Sequence, residues 1–283
     1  MKPPGPDPIS AGSADGSAVA RPGFAAALMR YCAKVLAIAD MEVRKLRHDP
    51  TELLTRAIQP MLWLLVFGEV FAHVRAIPTG SLGYIDFLAP GILAQSVLFV
   101  AIFYGISVIW ERDLGILHKF LVSPTPRTAL VLGKALSAGV RALSQAIIIY
   151  VLALALGVQM NWHPGALAGV VALVLLGAAV FSTFSLIIAC VVKTRERFMG
   201  IGQVLTMPLF FASNAIYPTE IMPEWLKIVA HVNPLTYEVD GLRALMLADG
   251  ATSLGLATDL GILVFTLALL VAIAGRIYPR IVV

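Results

Sequence analysis

Residues 165–192 contain no Asp, Glu, Lys or Arg. A helix needs about 20 apolar residues to cross the hydrocarbon core of a bilayer, so this longer run predicts a tilted crossing. Five further apolar runs, over 57–74, 87–110, 135–157, 200–216 and 254–275, predict five more crossings. In a bilayer the backbone must satisfy its own hydrogen bonds, which leaves helices for segments of this kind. The expected fold is an all-α membrane protein with six transmembrane helices. Composition agrees: 59% of the residues are hydrophobic and 13% charged, with a mean hydropathy of +0.86, against about 25% charged in a soluble domain.

The basic residues orient the spans. Of the 21 Lys and Arg residues, 17 fall in the segment up to Arg56, in 111–134, in 193–199 and after Gly275. The alternate loops hold Arg75, Lys227 and Arg243, and Arg141 lies inside the third span. The positive-inside rule places both termini in the cytoplasm. A pI near 9.2 therefore reads as topology signal and lipid-headgroup contact, and no nucleic-acid partner is expected.

Residues 1–23 are rich in Pro, Gly and Ser without an apolar core, and read as a disordered tail. They lack a secretory h-region, so the first span is expected to act as the insertion signal. Residues 24–55 form a second region. Leu28, Tyr31, Val35, Ile38, Val43 and Leu46 recur at helical spacing opposite Arg30, Lys34, Arg44 and His48. This predicts a basic amphipathic interface helix on the cytoplasmic leaflet, either as a lipid anchor or also as a docking surface. Residues 56–283 form the six-span domain. Cys32 and Cys190 lie too far apart in the topology to pair and read as small apolar residues.

Two segments break the pattern of spans and loops. The first is the cytoplasmic loop between spans two and three. Glu111 and Arg112 open it, Gly115 permits a turn, and Ser123-Pro124 ends it, because a residue before proline avoids the helical region. Between them, 116–122 predicts a short helix with Ile116, Leu117, Phe120 and Leu121 exposed. Such a cluster marks a binding site, or the helix lies on the lipid surface. Arg127, Lys134 and Arg141 follow at a spacing that shares one helical face. Arg141 can snorkel to the cytoplasmic surface or contact substrate.

The second is 208–245. Tyr217-Pro218 ends the fifth span, and 225–232 is far too short to cross. Asn233 is a good cap and Pro234 a good first-turn residue for a further helix. On that helix Leu235, Val239, Leu242, Leu245 and Met246 take the apolar side, with Glu238 and Asp240 expected toward a wet vestibule. Asp240 and Arg243 are spaced to pair. The segment reads as external re-entrant helices forming a gate.

Other features are weaker. Glu69 and His73 make an i,i+4 pair, read as hydrated at the interface or as a proton relay. Gly165 and Gly169 fit a common packing pattern. Phosphate loops, zinc motifs and nucleophile elbows do not occur; neither a metal site nor a cofactor is expected. Few ionisable groups fall within the spans, unlike proton- or sodium-driven carriers.

The run Glu111…Gly115-Ile116-Leu117…Leu121…Ser123-Pro124…Arg127…Leu132-Gly133-Lys134 resembles the coupling-helix segment of the ABC-2 type exporter permeases, in the daunorubicin-resistance and nodulation-export branch. The external run Tyr217-Pro218…Asn233-Pro234-Leu235-Thr236-Tyr237…Asp240-Gly241-Leu242-Arg243 is similar to the signature of the same family. The resemblance implies a permease subunit of an ATP-driven exporter in a bacterial inner membrane. Glu111, Gly115, Ile116, Leu117, Phe120, Leu121, Ser123, Pro124 and Arg127 would couple to the ATPase. Tyr217, Pro218, Asn233, Pro234, Tyr237, Asp240 and Arg243 would build the external gate. The chain itself would not be an enzyme. Its partners would be two copies of a separate ABC ATPase and a second permease, as homodimer or heterodimer. The implied cargo is a hydrophobic or amphipathic drug or lipid. A polysaccharide or lipid-linked glycan exporter on the same fold is the alternative, and a non-transporting membrane enzyme or assembly factor is a second.

Overall fold

The structure is a computed structural model that describes Thr55 and residues 58–74, 77–80, 82–114, 127–192 and 194–277. The stretch 1–23 predicted as a tail, the stretch 24–55 predicted as an interface helix (apart from Thr55), and the candidate coupling residues Gly115, Ile116, Leu117, Phe120, Leu121, Ser123 and Pro124 lie outside the described residues.

In chain order the helices are α1 (Ile58–Val74), α2 (Tyr84–Tyr104), α3 (Ile106–Asp113), α4 (Arg127–Ala155), α5 (Pro164–Val191), α6 (Arg195–Phe211), α7 (Glu224–Val232), α8 (Pro234–Met246) and α9 (Leu256–Ile277). A short 3₁₀ turn, Thr219–Ile221, precedes α7. Among the described residues the sole β feature is an isolated antiparallel bridge between Met160 and Leu247. Among the described residues, four helices are long and apolar enough to cross a membrane: α2, the 131–155 part of α4, α5 and α9. The chain is thus an all-helical, multi-pass membrane protein. Helix α1 is shorter, and residues Trp63–Gly68 within it form a π-helical turn, a local widening that often marks functional sites.

Helix α2 runs through the middle, packed against α1, α4, α5, α6 and α8. From Phe87 to Leu98 every residue is buried. Small residues let backbones approach, which drives packing where lipid supplies no hydrophobic force. A Cβ on Gly91 would overlap the Ala215 carbonyl, and one on Gly139 would come within 2.7 Å of Leu175. Gly169 meets Leu245 in the same way at 2.7 Å, which gives Gly169 a packing role between α5 and α8, whereas a Cβ on Gly165 would meet only His163 of its own cap.

Local signals set the ends. His163 caps α5, accepting from the Gly165 amide at 3.2 Å ahead of Pro164 in the first turn. Helix α4 closes with Gly157 at φ +79°, the Val158 amide donating to Ala153 and the Gly157 amide to Leu154. This is the left-handed glycine termination, which no other residue adopts as readily.

Two boundaries differ from the sequence pattern. The second apolar run extends to Trp110, but α2 stops at Tyr104 and α3 restarts at Ile106. Gly105 sits between them, where a Cβ would overlap the Ser185 hydroxyl; that hydroxyl donates to the Ile102 carbonyl. The fifth run begins at Gly200, but α6 starts at Arg195. Thr194 caps it, its Oγ1 accepting from the Arg197 amide at 3.4 Å, which brings three charged residues into the first turn. The helix ends at Phe211, before a series of turns through Ile216.

The loops gather at two ends of the bundle. At one, the 156–163 loop meets the chain after α8: the Asn161 amide donates to Met246 at 2.8 Å and the Ala248 amide to Gln159 at 3.0 Å. The Gln159 amide reaches Asp86 of α2 at 3.3 Å. At the other end, Arg195 binds Asp113 at 2.9 Å and lies 3.6 Å from the centre of the Trp110 ring.

Candidate functional site

Helices α7 and α8 form a hairpin joined at Asn233, and this joint is the most heavily bonded point among the candidate gate residues. Asn233 is buried. Its Oδ1 accepts from the Leu235 amide at 3.0 Å, capping α8. Its Nδ2 donates to the carbonyls of Leu209 at 2.7 Å and Ala212 at 3.0 Å. Those carbonyls lie at the C-terminus of α6, where the last turn leaves acceptors unpaired. One side chain thus starts one helix and finishes another. Pro234 takes the first position of α8, where no amide is needed. The Tyr237 hydroxyl donates to the His231 carbonyl at 2.6 Å, closing the end of α7. The Tyr217 hydroxyl donates to the Phe211 carbonyl, folding the chain back after α6.

Helix α7 spans 9 residues and leaves Trp225, Ile228, Val229 and Val232 exposed. Helix α8 is the opposite. Every residue from Leu235 to Arg243 is buried, between α2, α5 and α9. The sequence pattern places Glu238 and Asp240 toward a wet vestibule; the structure places both inside. Glu238 has no exposed surface, and neither carboxyl oxygen has a hydrogen-bond partner. Its carboxyl fills the space above Gly177 of α5, where even a Cβ would overlap it. Burial raises its pKa well above the ordinary 4.5, as expected for an acid moved from water into apolar surroundings. Asp259, in the first turn of α9, is also fully buried with both oxygens unpartnered.

The Asp240–Arg243 spacing suggests a pair, but the two side chains take other hydrogen-bond partners. Asp240 accepts from the Ser253 amide and hydroxyl, both at 2.8 Å, and from the Leu254 amide at 3.2 Å. It pins the loop into α9. Arg243 donates through Nη2 to the Asn214 carbonyl at 2.8 Å and stacks 3.8 Å from the centre of the Phe87 ring. Burial lowers its pKa to about 10, the charges of Asp240 and Glu220 opposing that fall, so it stays cationic at neutral pH. Arg243 and Asp240 both border a cavity of about 500 Å³ that opens at the hairpin end between the 78–82 and 218–221 loops. Pro218, Asp240 and Arg243 thus border one cavity, Asn233, Pro234 and Tyr237 hold the joint between α7 and α8, and Tyr217 folds back on the end of α6.

The coupling side is described only at its margins. Glu111 falls in α3 and Arg127 opens α4. The Arg195–Asp113–Trp110 cluster joins α3 to α6. Sequence reasoning missed this cluster, whose partners are remote along the chain. Arg141 lies 5.6 Å and Lys134 5.9 Å from the centre of the Tyr104 ring, so these two do share a face. Glu69 and His73 lie exposed, 3.8 Å apart.

A third surface runs along α1 and α6. Trp63, Phe67 and Phe71 stack in sequence, with ring centres 4.3 and 6.1 Å apart, Phe71 meets Tyr84 at a tilt with ring centres 5.6 Å apart, and Trp63 also meets Phe210 at 5.5 Å. Outside this ladder, Leu62, Val66 and Val70 of α1 and Val204 of α6 stand exposed.

The described helices form a membrane bundle with a short helical hairpin packed beside its last helix. The sequence over residues 33–247 matches the family described as ABC-2 type transporter, and the chain belongs to that family. It is 30% identical over 203 residues to the putative transport permease ycf38 of Cyanophora paradoxa, covering 71% of this chain and 70% of that one. It is 26% identical over 209 residues to the daunorubicin resistance ABC transporter permease protein DrrB1 of Streptomyces coeruleorubidus, covering 71% and 70%. The probable multidrug ABC transporter permease YbhR of Escherichia coli K12 is 30% identical over 177 residues, covering 60% of this chain and 46% of YbhR. The chain is a membrane permease of this family, whose members work with an ABC ATPase.

Proposed function

We propose that this permease exports hydrophobic or amphipathic compounds, drugs or lipids, across a bacterial cytoplasmic membrane, driven by ATP hydrolysis on a separate chain. Six helices cross: α1, α2, α4, α5, α6 and α9. Both termini are cytoplasmic, so the hairpin end faces outward. The clamp at Asn233 carries this reading. It ties α8 to α6 while α8 packs on α2, α5 and α9, so moving α6 must move the hairpin. Tyr217, Pro218, Asn233, Pro234, Tyr237, Asp240 and Arg243 then act as one external gate.

Two permease copies, identical or different, meet along the exposed apolar face of α1 and α6 to enclose the path. Two ATPase subunits grip the cytoplasmic loop through Ile116, Leu117, Phe120 and Leu121, with Glu111, Gly115, Ser123, Pro124 and Arg127 shaping it. Residues 24–55 form an interface helix beside that contact, and 1–23 a disordered tail. Closure of the ATPases pulls α3, and through Asp113 and Arg195 it pulls α6.

Co-expression with the cognate ATPase tests the assignment. Leu117→Asp with Leu121→Asp should abolish co-purification while the permease still inserts. Inverted vesicles holding the intact pair should accumulate an amphipathic tracer only with ATP. Unchanged co-purification would remove the coupling assignment, and ATP-independent accumulation would remove the export reading.

A further inference from the structure

The cavity of about 500 Å³ at the hairpin end is bordered by Arg243 of α8 and by Asn214 in the turns after α6. Arg243 is 7% exposed and Asn214 4%. The three guanidinium nitrogens of Arg243 differ. Nη2 donates to the carbonyls of Asn214 and Phe87. Nε is shut away without a partner. Nη1 makes no hydrogen bond and is not shut away, so it is the nitrogen through which Arg243 meets the cavity. Asn214 is alike: its Oδ1 is enclosed, while its Nδ2 makes no hydrogen bond and keeps open surface. Two N–H donors from adjoining residues therefore open on one space.

The acids around this cavity are not paired with Arg243. Asp240 accepts from the Ser253 amide and hydroxyl and from the Leu254 amide. Glu220 stands exposed on the 3₁₀ turn and, among the described residues, forms neither a hydrogen bond nor an ion pair. Both carboxylates lie near enough to act on the charge of Arg243, yet neither is its ion-pair partner. A buried guanidinium without a paired anion is unfavourable, and a charge-assisted hydrogen bond to an oxyanion relieves that. A simple anion in the cavity would also face Asp240 and Glu220. A simple cation would face Arg243. A molecule that carries both signs suits the set. A phosphodiester has two unesterified oxygens for the two donors, and an ammonium on a short linker can reach a carboxylate. The volume falls within the range for small-molecule sites, roughly 300–1,000 Å³.

We propose that this cavity binds a small zwitterion in which a phosphate is joined to an ammonium by a short linker, its oxyanion on Arg243 and Asn214 and its ammonium on Glu220. The headgroup of phosphatidylethanolamine and free glycerophosphoethanolamine share that chemistry. Either one ties the Thr219–Ile221 turn to α8. The proposal goes beyond the export reading and does not depend on it.

The test titrates the full chain in dodecyl maltoside micelles with three short amphiphiles. Dihexanoyl phosphatidylethanolamine carries both charges, dihexanoyl phosphatidylglycerol the phosphate alone, and hexylamine the ammonium alone. Native mass spectrometry counts the bound molecules. Thermal unfolding reads their effect, since a ligand of the folded state raises stability. The phosphatidylethanolamine should bind about tenfold more tightly than either control and should raise the unfolding temperature. Glycerophosphoethanolamine that competes equally identifies a soluble source; failure to compete identifies the lipid. Glu220 is exposed and unbonded, so Glu220→Gln should unfold like the wild type without ligand, and should bring the two phospholipids to equal affinity. Ala251→Trp puts a large ring into the cavity lining without altering Arg243, Asn214 or Glu220, and should remove the tight binding. Equal affinity of the wild type for the two phospholipids, or a preference that survives both variants, would overturn the proposal. Binding is read without ATP, so its failure leaves the export reading standing.

Discussion

The carboxyl group of Glu238 occupies the space that any side chain at Gly177 would need. The relationship couples α8 to α5 through one acid and one absent methyl group. Gly177→Ala should therefore push α8 outward. Overpacking a tight site costs about 1–3 kcal/mol, so the variant should unfold several degrees lower in nanodiscs. Glu238→Ala together with Gly177→Ala should recover part of that loss. Independent, additive effects in this double-mutant cycle would show that the two positions do not meet.

Glu238 also predicts a dependence on pH. Its folded pKa lies above the ordinary 4.5 because burial disfavours the anion. The folded state thus binds the proton more tightly than the unfolded state does. The stabilising contribution is complete below pH 4.5 and falls as pH rises toward the elevated folded value. Glu238→Gln keeps the shape and removes the proton. Thermal unfolding of the wild type should decline across that window relative to the variant, and parallel curves would contradict the burial of an acid here.

Asn233 performs two separable tasks. Asn233→Asp retains the oxygen that caps α8 and loses the amine that reaches Leu209 and Ala212. Asn233→Ala loses both. Removal of a cap costs about 0.5–2 kcal/mol, and a buried carbonyl left unpaired costs about 1–3 kcal/mol. Both variants should be less stable than the wild type, and both should lose export while ATPase binding persists. Export by Asn233→Asp at the wild-type rate would show that the clamp on α6 is dispensable.

Arg195→Ala removes the bond to Asp113 and the stack on Trp110. An exposed ion pair is worth about 0–1 kcal/mol and an exposed cation–π contact about 0.5–1 kcal/mol, so the protein should still fold and insert. The proposed path from α3 to α6 would be cut. ATP hydrolysis by the complex should continue while tracer accumulation drops several-fold, and a matched drop in both would place Arg195 in ATPase binding instead.

Orientation is checked with single cysteines in a background lacking Cys32 and Cys190. An impermeant thiol reagent outside intact cells should label position 79, on a hairpin-end loop, and position 224, at the start of α7, and should not label position 194. Position 240 should react slowly, because Asp240 is buried in the closed hairpin. The reverse pattern would invert the topology.

The long apolar helices were legible because hydrocarbon imposes a length and excludes charge. The break before α8 was legible too, since Asn233 and Pro234 act through local backbone chemistry. The burial of Glu238 was not. A helix periodicity assumes one wet face, and α8 has none: from Leu235 to Arg243 it is enclosed by three other helices. The partners of Asp240 and Arg243 were equally hidden. Ser253 lies 13 residues ahead and Asn214 lies 29 behind, while the i,i+3 spacing suggested a simpler answer. Gly105 lies within one continuous apolar run, and the contact that interrupts the helix there is with Ser185, far along the chain.

Gly91 near one end of α2 rests on the Ala215 backbone, and Gly105 at its other end rests on Ser185 and Phe198. Between them the helix is enclosed along most of its length, with little slack at either tip. A rod held this way has few sideways freedoms. Two glycines thus set how closely α2 is seated: a methyl group at either position would meet a neighbouring backbone or a buried side chain before the helix could lie where it does.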